Sequence, residues 1–197
     1  MSPTATIPDA HRQTKYQVRF DWAAEGAAAV AADADVVVWV DALDEPGVHD
    51  AAAAAAALPG IPGTGAVLRA DLTNPSAVAR WILDEQVRLG RRAMVAVVAA
   101  GGSTATGTTR FAVEDLLAAG AVVDALAAHG IDYSSPEAAA ACAAFTGLRR
   151  AVAHLLTASA SAQELVASGA APDGIAQLGR LDSSQDVAVL RGPSTPE

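Results

Sequence analysis

Lysine is nearly missing from this chain of 197 residues: Lys15 stands alone, so almost every cation is an arginine. Arginine suits two-pronged grips on phosphate or carboxylate, although the bias also fits the compositional drift that makes the chain so rich in alanine. Positive charge is short altogether, with 22 acidic against 13 basic residues and a net charge of −9. A protein held to nucleic acid by phosphate contacts needs a basic surface, so no nucleic-acid partner is expected. A single cysteine, Cys142, excludes both an internal disulfide framework and a multi-cysteine metal site. Its place in the alanine run 138–144 reads as a small buried thiol on a helix. Aromatics make up only 4%. The core must therefore lean on Val and Leu, at about 1.5–3 kcal/mol per fully buried large side chain.

Long apolar runs are missing too. None reaches the roughly 18–20 residues that cross a bilayer, and the first twenty residues hold no uninterrupted apolar stretch of the signal-peptide kind. The expectation is a cytoplasmic protein with no membrane partner. No Walker A lysine-serine/threonine pair follows a glycine run, no G-x-G-x-x-G opens a helix after a strand, and no G-x-S-x-G elbow occurs. His11, His49, His129 and His154 are scattered without zinc-ligand spacing; His129, at a helix C-terminus, serves the helix dipole.

What is present is a pattern of buried strands and punctuated helices. Asp35-Val-Val-Val-Trp-Val-Asp41 holds four valines in its five central residues, with no polar alternation. Such a strand is covered on both faces. Ala93 to Ala99 repeats the pattern and Gly65 to Ala70 repeats it more weakly; Tyr16 to Phe20 alternates and reads as an edge strand. Asp21 is read as the cap of a helix over 22–32. Asn74 and Pro75 open a helix that Gly90 stops, which gives a strand–helix–strand unit. A long helix is expected over 113–129, and further helices from Ser135-Pro136 through Leu156 and over 161–168. A short strand over 186–190 precedes a Pro-rich tail. The alanine run 51–57 reads as one or two helical turns, and 59–63 as a turn-rich linker. The fold expected is α/β, a three-layer α/β/α arrangement around a mostly parallel or mixed central sheet. Residues 1–15 are read as a disordered arm, 16–191 as one domain, and 192–197 as a flexible tail. A homodimer is the base-rate expectation.

In such sheets ligands bind beyond the carboxyl ends of the strands, where helix N-termini present free N–H groups. Asp41, the segment Asp71-Leu-Thr-Asn74, and the stretch from Gly101 to Asp115 all fall there. The last is the richest: Gly101, Gly102 and Gly107 allow close backbone approach, Ser103 and the threonines bring hydroxyls, and Arg110 brings a cation. Glu114 and Asp115 put two carboxylates at a helix start. Amides, hydroxyls and arginine suit a phosphate, and carboxylates suit a hydrated Mg²⁺. The same residues also make an ordinary polar loop followed by an acidic first helical turn, which needs no ligand.

With these segments placed, the chain resembles the 2-phosphosulfolactate phosphatase (ComB-like) family. The likeness rests on Tyr16-Gln-Val-Arg-Phe-Asp-Trp22, Val36-Val-Val-Trp-Val-Asp-Ala42, Thr73-Asn74 with Ala77-Val-Ala79, and Arg110-Phe-Ala-Val-Glu-Asp-Leu-Leu-Ala-Ala-Gly120. Ser161-Ala-Gln-Glu-Leu165, Asp173 and Asp182 are similar to the family's closing region. The resemblance implies the ComB-like fold and a Mg²⁺-dependent phosphoric monoester hydrolase acting on a small, strongly anionic phosphorylated acid. It implies Asp41, Glu114 and Asp115 as catalytic and metal-binding residues. It also implies Asn74, Gly101, Gly102, Ser103 and Arg110 around the phosphate. The chain departs from the family pattern after Asp41, where Leu43-Asp-Glu-Pro-Gly47 and alanines replace a longer region rich in threonine and cations. Ala162 and Gln163 also stand where Gly-Arg is usual. A family member that kept the scaffold without catalysis, acting as a binding or regulatory protein, is the alternative; a nucleotide-binding module is a third.

Overall fold

A computed structural model of the protein describes residues 7–43 and 60–193. The strands are β1 (Val18–Trp22), β2 (Val36–Val40), β3 (Ala66–Ala70), β4 (Val95–Ala99), the short pair β5 (Gly102–Ser103) and β6 (Thr109–Arg110), and β7 (Ala188–Arg191). The helices are α1 (Ala23–Val30), α2 (Pro75–Leu89), α3 (Val113–Ala128), α4 (Pro136–Leu148), α5 (Val152–Ala158), α6 (Ala160–Ala167) and α7 (Pro172–Leu178).

The main sheet runs β1-β4-β2-β3-β7, parallel throughout except for β7, which lies antiparallel on β3. Its strands are apolar on both faces because both faces are covered. Val36, Val38, Val40, Leu68, Val95 and Val97 point into the large cluster beneath α2 to α7. The alternate residues Val37, Val67, Ala96 and Val98 point into the smaller cluster that α1 caps with Val30. The α/β, three-layer reading with a mixed sheet is therefore correct. None of the described helices is long and apolar enough to cross a membrane.

Several local expectations shift. The proposed arm is ordered over its second half: Asp9–Arg12 form a 3₁₀ turn. The Gln13 side chain donates to the Phe20 carbonyl and accepts from the Phe20 N–H, which fixes it against β1. Asp21 does not cap a helix. β1 runs on to Trp22, α1 starts at Ala23, and among the described residues the Asp21 carboxylate accepts from the Trp22 N–H alone. The 35–41, 65–70 and 93–99 strands are found one or two residues shorter, and β1 is an edge strand as read. The β3–α2–β4 unit exists, but β2 lies between its two strands. Ser135 caps α4 by accepting from the Ala138 N–H, and Gly90 ends α2 in the left-handed conformation, φ 64°. The C-terminal strand spans 188–191, and α7 was not anticipated. The alanine run 51–57 lies outside the described residues.

The helical layer over the large cluster depends on one close approach. A Cβ on Gly120 would come within 2.2 Å of the Ala141 carbonyl oxygen and 2.7 Å of the Phe145 Cβ. Only glycine lets α3 lie this close to α4. On the opposite face, the buried Arg19 is paired with Asp33 and donates to the carbonyls of Tyr16, Thr14 and Val30. One charged side chain thereby ties β1 to the end of α1.

Candidate functional site

Three parallel strands end side by side at one rim of the sheet, and the carboxylates gather there. Asp115, in the first turn of α3, is the anchor. Its Oδ1 accepts from the N–H of Ala42, just past β2, and its Oδ2 accepts from the N–H of Gly101, just past β4, both at 2.8 Å. One side chain thus joins the exits of two neighbouring strands. Gly101 has φ 70°, and a Cβ there would meet the Arg110 carbonyl oxygen at 2.9 Å. Glycine is needed for this N–H to reach Asp115.

Asp115 is buried, with 3% of its surface exposed. Removal from water pushes its carboxyl pKa up to about 8; the neighbouring charges of Asp41 and Glu114 add to the rise, and the two backbone N–H groups oppose it. Glu114 is equally buried. No hydrogen bond joins its carboxylate to a described residue, in contrast to Asp115. Asp41 is half-buried; its N–H donates to the Ala70 carbonyl and its carboxylate accepts from the Leu43 N–H. The three carboxylates lie near enough for their charges to interact. Among the described residues, however, no three acidic, histidine or cysteine side chains converge as metal ligands. A Mg²⁺ ion needs less: one or two protein carboxylates, with water and phosphate oxygens completing its shell. Glu114, whose carboxylate has no hydrogen bond among the described residues, fits that requirement.

The glycine-rich stretch is not an open cradle. It folds into the β5–β6 hairpin, with Gly102 opposite Arg110 and Ser103 opposite Thr109. The Thr104 hydroxyl bonds to those of Thr106 and Thr108 rather than facing a common ligand. Ser103 is exposed, and Gly102 is partly so. Arg110 pairs with Glu164 at 3.0 Å and so fastens the hairpin to α6. Hairpin formation uses the polar groups on one another, and Gly101 alone among these glycines reaches the carboxylates.

Asn74 is placed at the rim but in a different role from the one read. It occupies the N-cap position of α2 without a capping bond; its Oδ1 accepts from the Asp71 N–H and its Nδ2 donates to the Asp186 carbonyl. The cap comes from Asp182, whose carboxylate accepts from the N–H and the hydroxyl of Ser76.

Beside this loop lies a cavity of about 500 Å³. Arg69, Asp71, Thr73, Asn74, Ser184 and Asp186 supply its polar side. Leu165 of α6 with Ile175 and Leu178 of α7 form the apolar side, and Ala42, next to Asp41, reaches its edge. Of the residues that line it, only Asn74 was singled out from the sequence as a binding residue. Asp71 was noted for its place after β3, but Arg69 and Asp186 sit in strands or tails that carry no motif.

An α/β domain with carboxylates gathered at the strand ends, next to a cavity of small-molecule size, has the layout of a ligand-binding or catalytic domain. The chain belongs to the 2-phosphosulpholactate phosphatase family, whose model matches residues 48–193. The match takes in Asn74, Gly101, Arg110, Glu114 and Asp115; Asp41 lies before it. No curated protein matches the chain.

Proposed function

We propose that this protein is a Mg²⁺-dependent phosphoric monoester hydrolase acting on a small phosphorylated organic acid. The observation that carries the reading is the Asp115 carboxylate, which joins the exits of β2 and β4 beside Asp41 and Glu114, in a chain of a phosphatase family. Bound there, Mg²⁺ supplies positive charge that screens the phosphoryl oxygens and activates water.

The chain's own residues divide the remaining work. Asp41 and Glu114 are the carboxylates that would hold the ion, since both oxygens of Asp115 already accept backbone N–H bonds. Asp115 is a positioning residue: it fixes the loop that carries Asp41 and the Gly101 turn in one arrangement. Asn74 orders the Asp71 loop at the mouth of the adjacent cavity. Arg110 reaches a phosphate only by releasing Glu164, an exchange of one anionic partner for another.

The test is phosphate release from 2-phosphosulfolactate and from phenyl phosphate, with Mg²⁺ and with EDTA. Mg²⁺-dependent release from either substrate is the expected result. A folded sample that releases phosphate from neither overturns the reading.

A further inference from the structure

We propose that the cavity between the β3–α2 loop and helices α6 and α7 selects organic phosphates with an apolar body and rejects a multiply charged sulfonate. The inference rests on the phosphatase reading for what happens to the phosphate, but its physical basis is the cavity lining. The family name describes a molecule with three anionic groups: phosphate, sulfonate and carboxylate. A site made for it needs several cations, because each charge-assisted hydrogen bond contributes about 1.5–3 kcal/mol and an unmatched buried anion costs at least as much.

This cavity offers the opposite balance. Among the described residues, Arg69 is the only basic one in the lining, against the two acids Asp71 and Asp186. Its polar groups are also largely engaged with one another. Asp71 accepts from the N–H and hydroxyl of Thr73, Asn74 bridges Asp71 and Asp186, and the Ser184 hydroxyl accepts from the Asp186 N–H. The opposite wall is Leu165, Ile175 and Leu178 with Ala170 and Ala171, an apolar surface that gains nothing from a sulfonate. A volume of about 500 Å³ accommodates a ring-sized body. Ala42, which lines this cavity, is the residue next to Asp41, so the cavity and the carboxylate rim share the end of β2.

Gly174 marks the point where this selectivity can be altered. It lines the cavity on α7, and a Cβ there meets nothing within 4 Å. Gly174→Leu therefore adds bulk without a backbone clash and improves helix propensity.

The experiment is calorimetric binding of three non-hydrolysable ligands in Mg²⁺ buffer: phenylphosphonate, methylphosphonate and 3-sulfolactate. Phenylphosphonate should bind at least tenfold tighter than either of the others. Leu165→Gln and Gly174→Leu should each reduce that preference to under threefold, with the melting temperature of Gly174→Leu unchanged or raised. Equal binding of phenyl- and methylphosphonate, tighter binding of 3-sulfolactate, or no binding of phenylphosphonate overturns the inference. A preference for phenylphosphonate with phosphate release from neither phenyl phosphate nor 2-phosphosulfolactate leaves the cavity assignment standing and removes the phosphatase reading, so the two failures are distinguishable.

Discussion

The Asp115 carboxylate accepts from the N–H of Ala42 across 73 positions of chain, at 2.8 Å. The bond places the start of α3 against the end of β2, and its partner bond to Gly101 brings in the end of β4. A carboxylate that accepts from two backbone N–H groups cannot be replaced without loss. An asparagine has one acceptor oxygen and sets an NH₂ group against the second N–H.

The pH dependence of stability follows from the same residue. Folding raises the Asp115 pKa from the ordinary carboxylate value of 3.8 to about 8. Its proton is thus bound more tightly in the folded state. Its contribution is complete below pH 3.8 and fades as pH rises through about 8. In EDTA, the urea midpoint should fall between pH 5 and pH 9, and 10 mM-scale Mg²⁺ should lessen the fall by favouring the ionised carboxylates. A midpoint that rises over that range in EDTA would contradict the raised pKa of the buried Asp115 carboxyl.

Gly120→Ala tests the packing of α3 on α4. Alanine improves helix propensity by roughly 1 kcal/mol, yet its Cβ meets the Ala141 carbonyl oxygen at 2.2 Å. Overpacking of this kind costs about 1–3 kcal/mol or more, so net destabilisation by at least ~1 kcal/mol is expected in urea unfolding. A stabilised variant would show that the helices are free to separate.

Asp182→Ala tests the cap of α2. Loss of the bond to the Ser76 N–H should cost about 1–2 kcal/mol. Asp182 also has φ 53°, and Asp182→Gly, which relieves that conformation, should cost less than the alanine variant. Equal stability of all three forms, measured by thermal unfolding, would remove Asp182 from the helix terminus.

How much of this was legible beforehand depended on the range of the interaction. Runs such as 36–40 and 95–99 announce strands covered on both faces, because continuous valine has no other stable use in a short segment. Gly90 and Ser135 act within their own turn, so their roles are readable locally. Asp21, Asn74 and Asp182 show the opposite. Asp21 and Asn74 have the residue type of a cap, but the partner that caps α2 arrives from 106 positions away, and no local pattern records it. The paired acids at 114 and 115 pointed to the rim where β2 and β4 end. That one would serve two strand exits while the other has no donor among the described residues was decided by tertiary contacts. The glycine stretch misled for a related reason: its threonines satisfy one another across a hairpin turn. The cavity wall of α6 and α7 carries no motif, since Leu and Ile at helical spacing read as core.

The most direct measurement is the rate of Mg²⁺-dependent phosphate release in Glu114→Gln and Asp115→Asn, each checked for native circular dichroism. The assignment predicts that kcat/KM falls at least tenfold in both, equivalent to about 1.4 kcal/mol or more of lost transition-state stabilisation. Rates equal to the unaltered protein in both variants would place the chemistry elsewhere in the molecule.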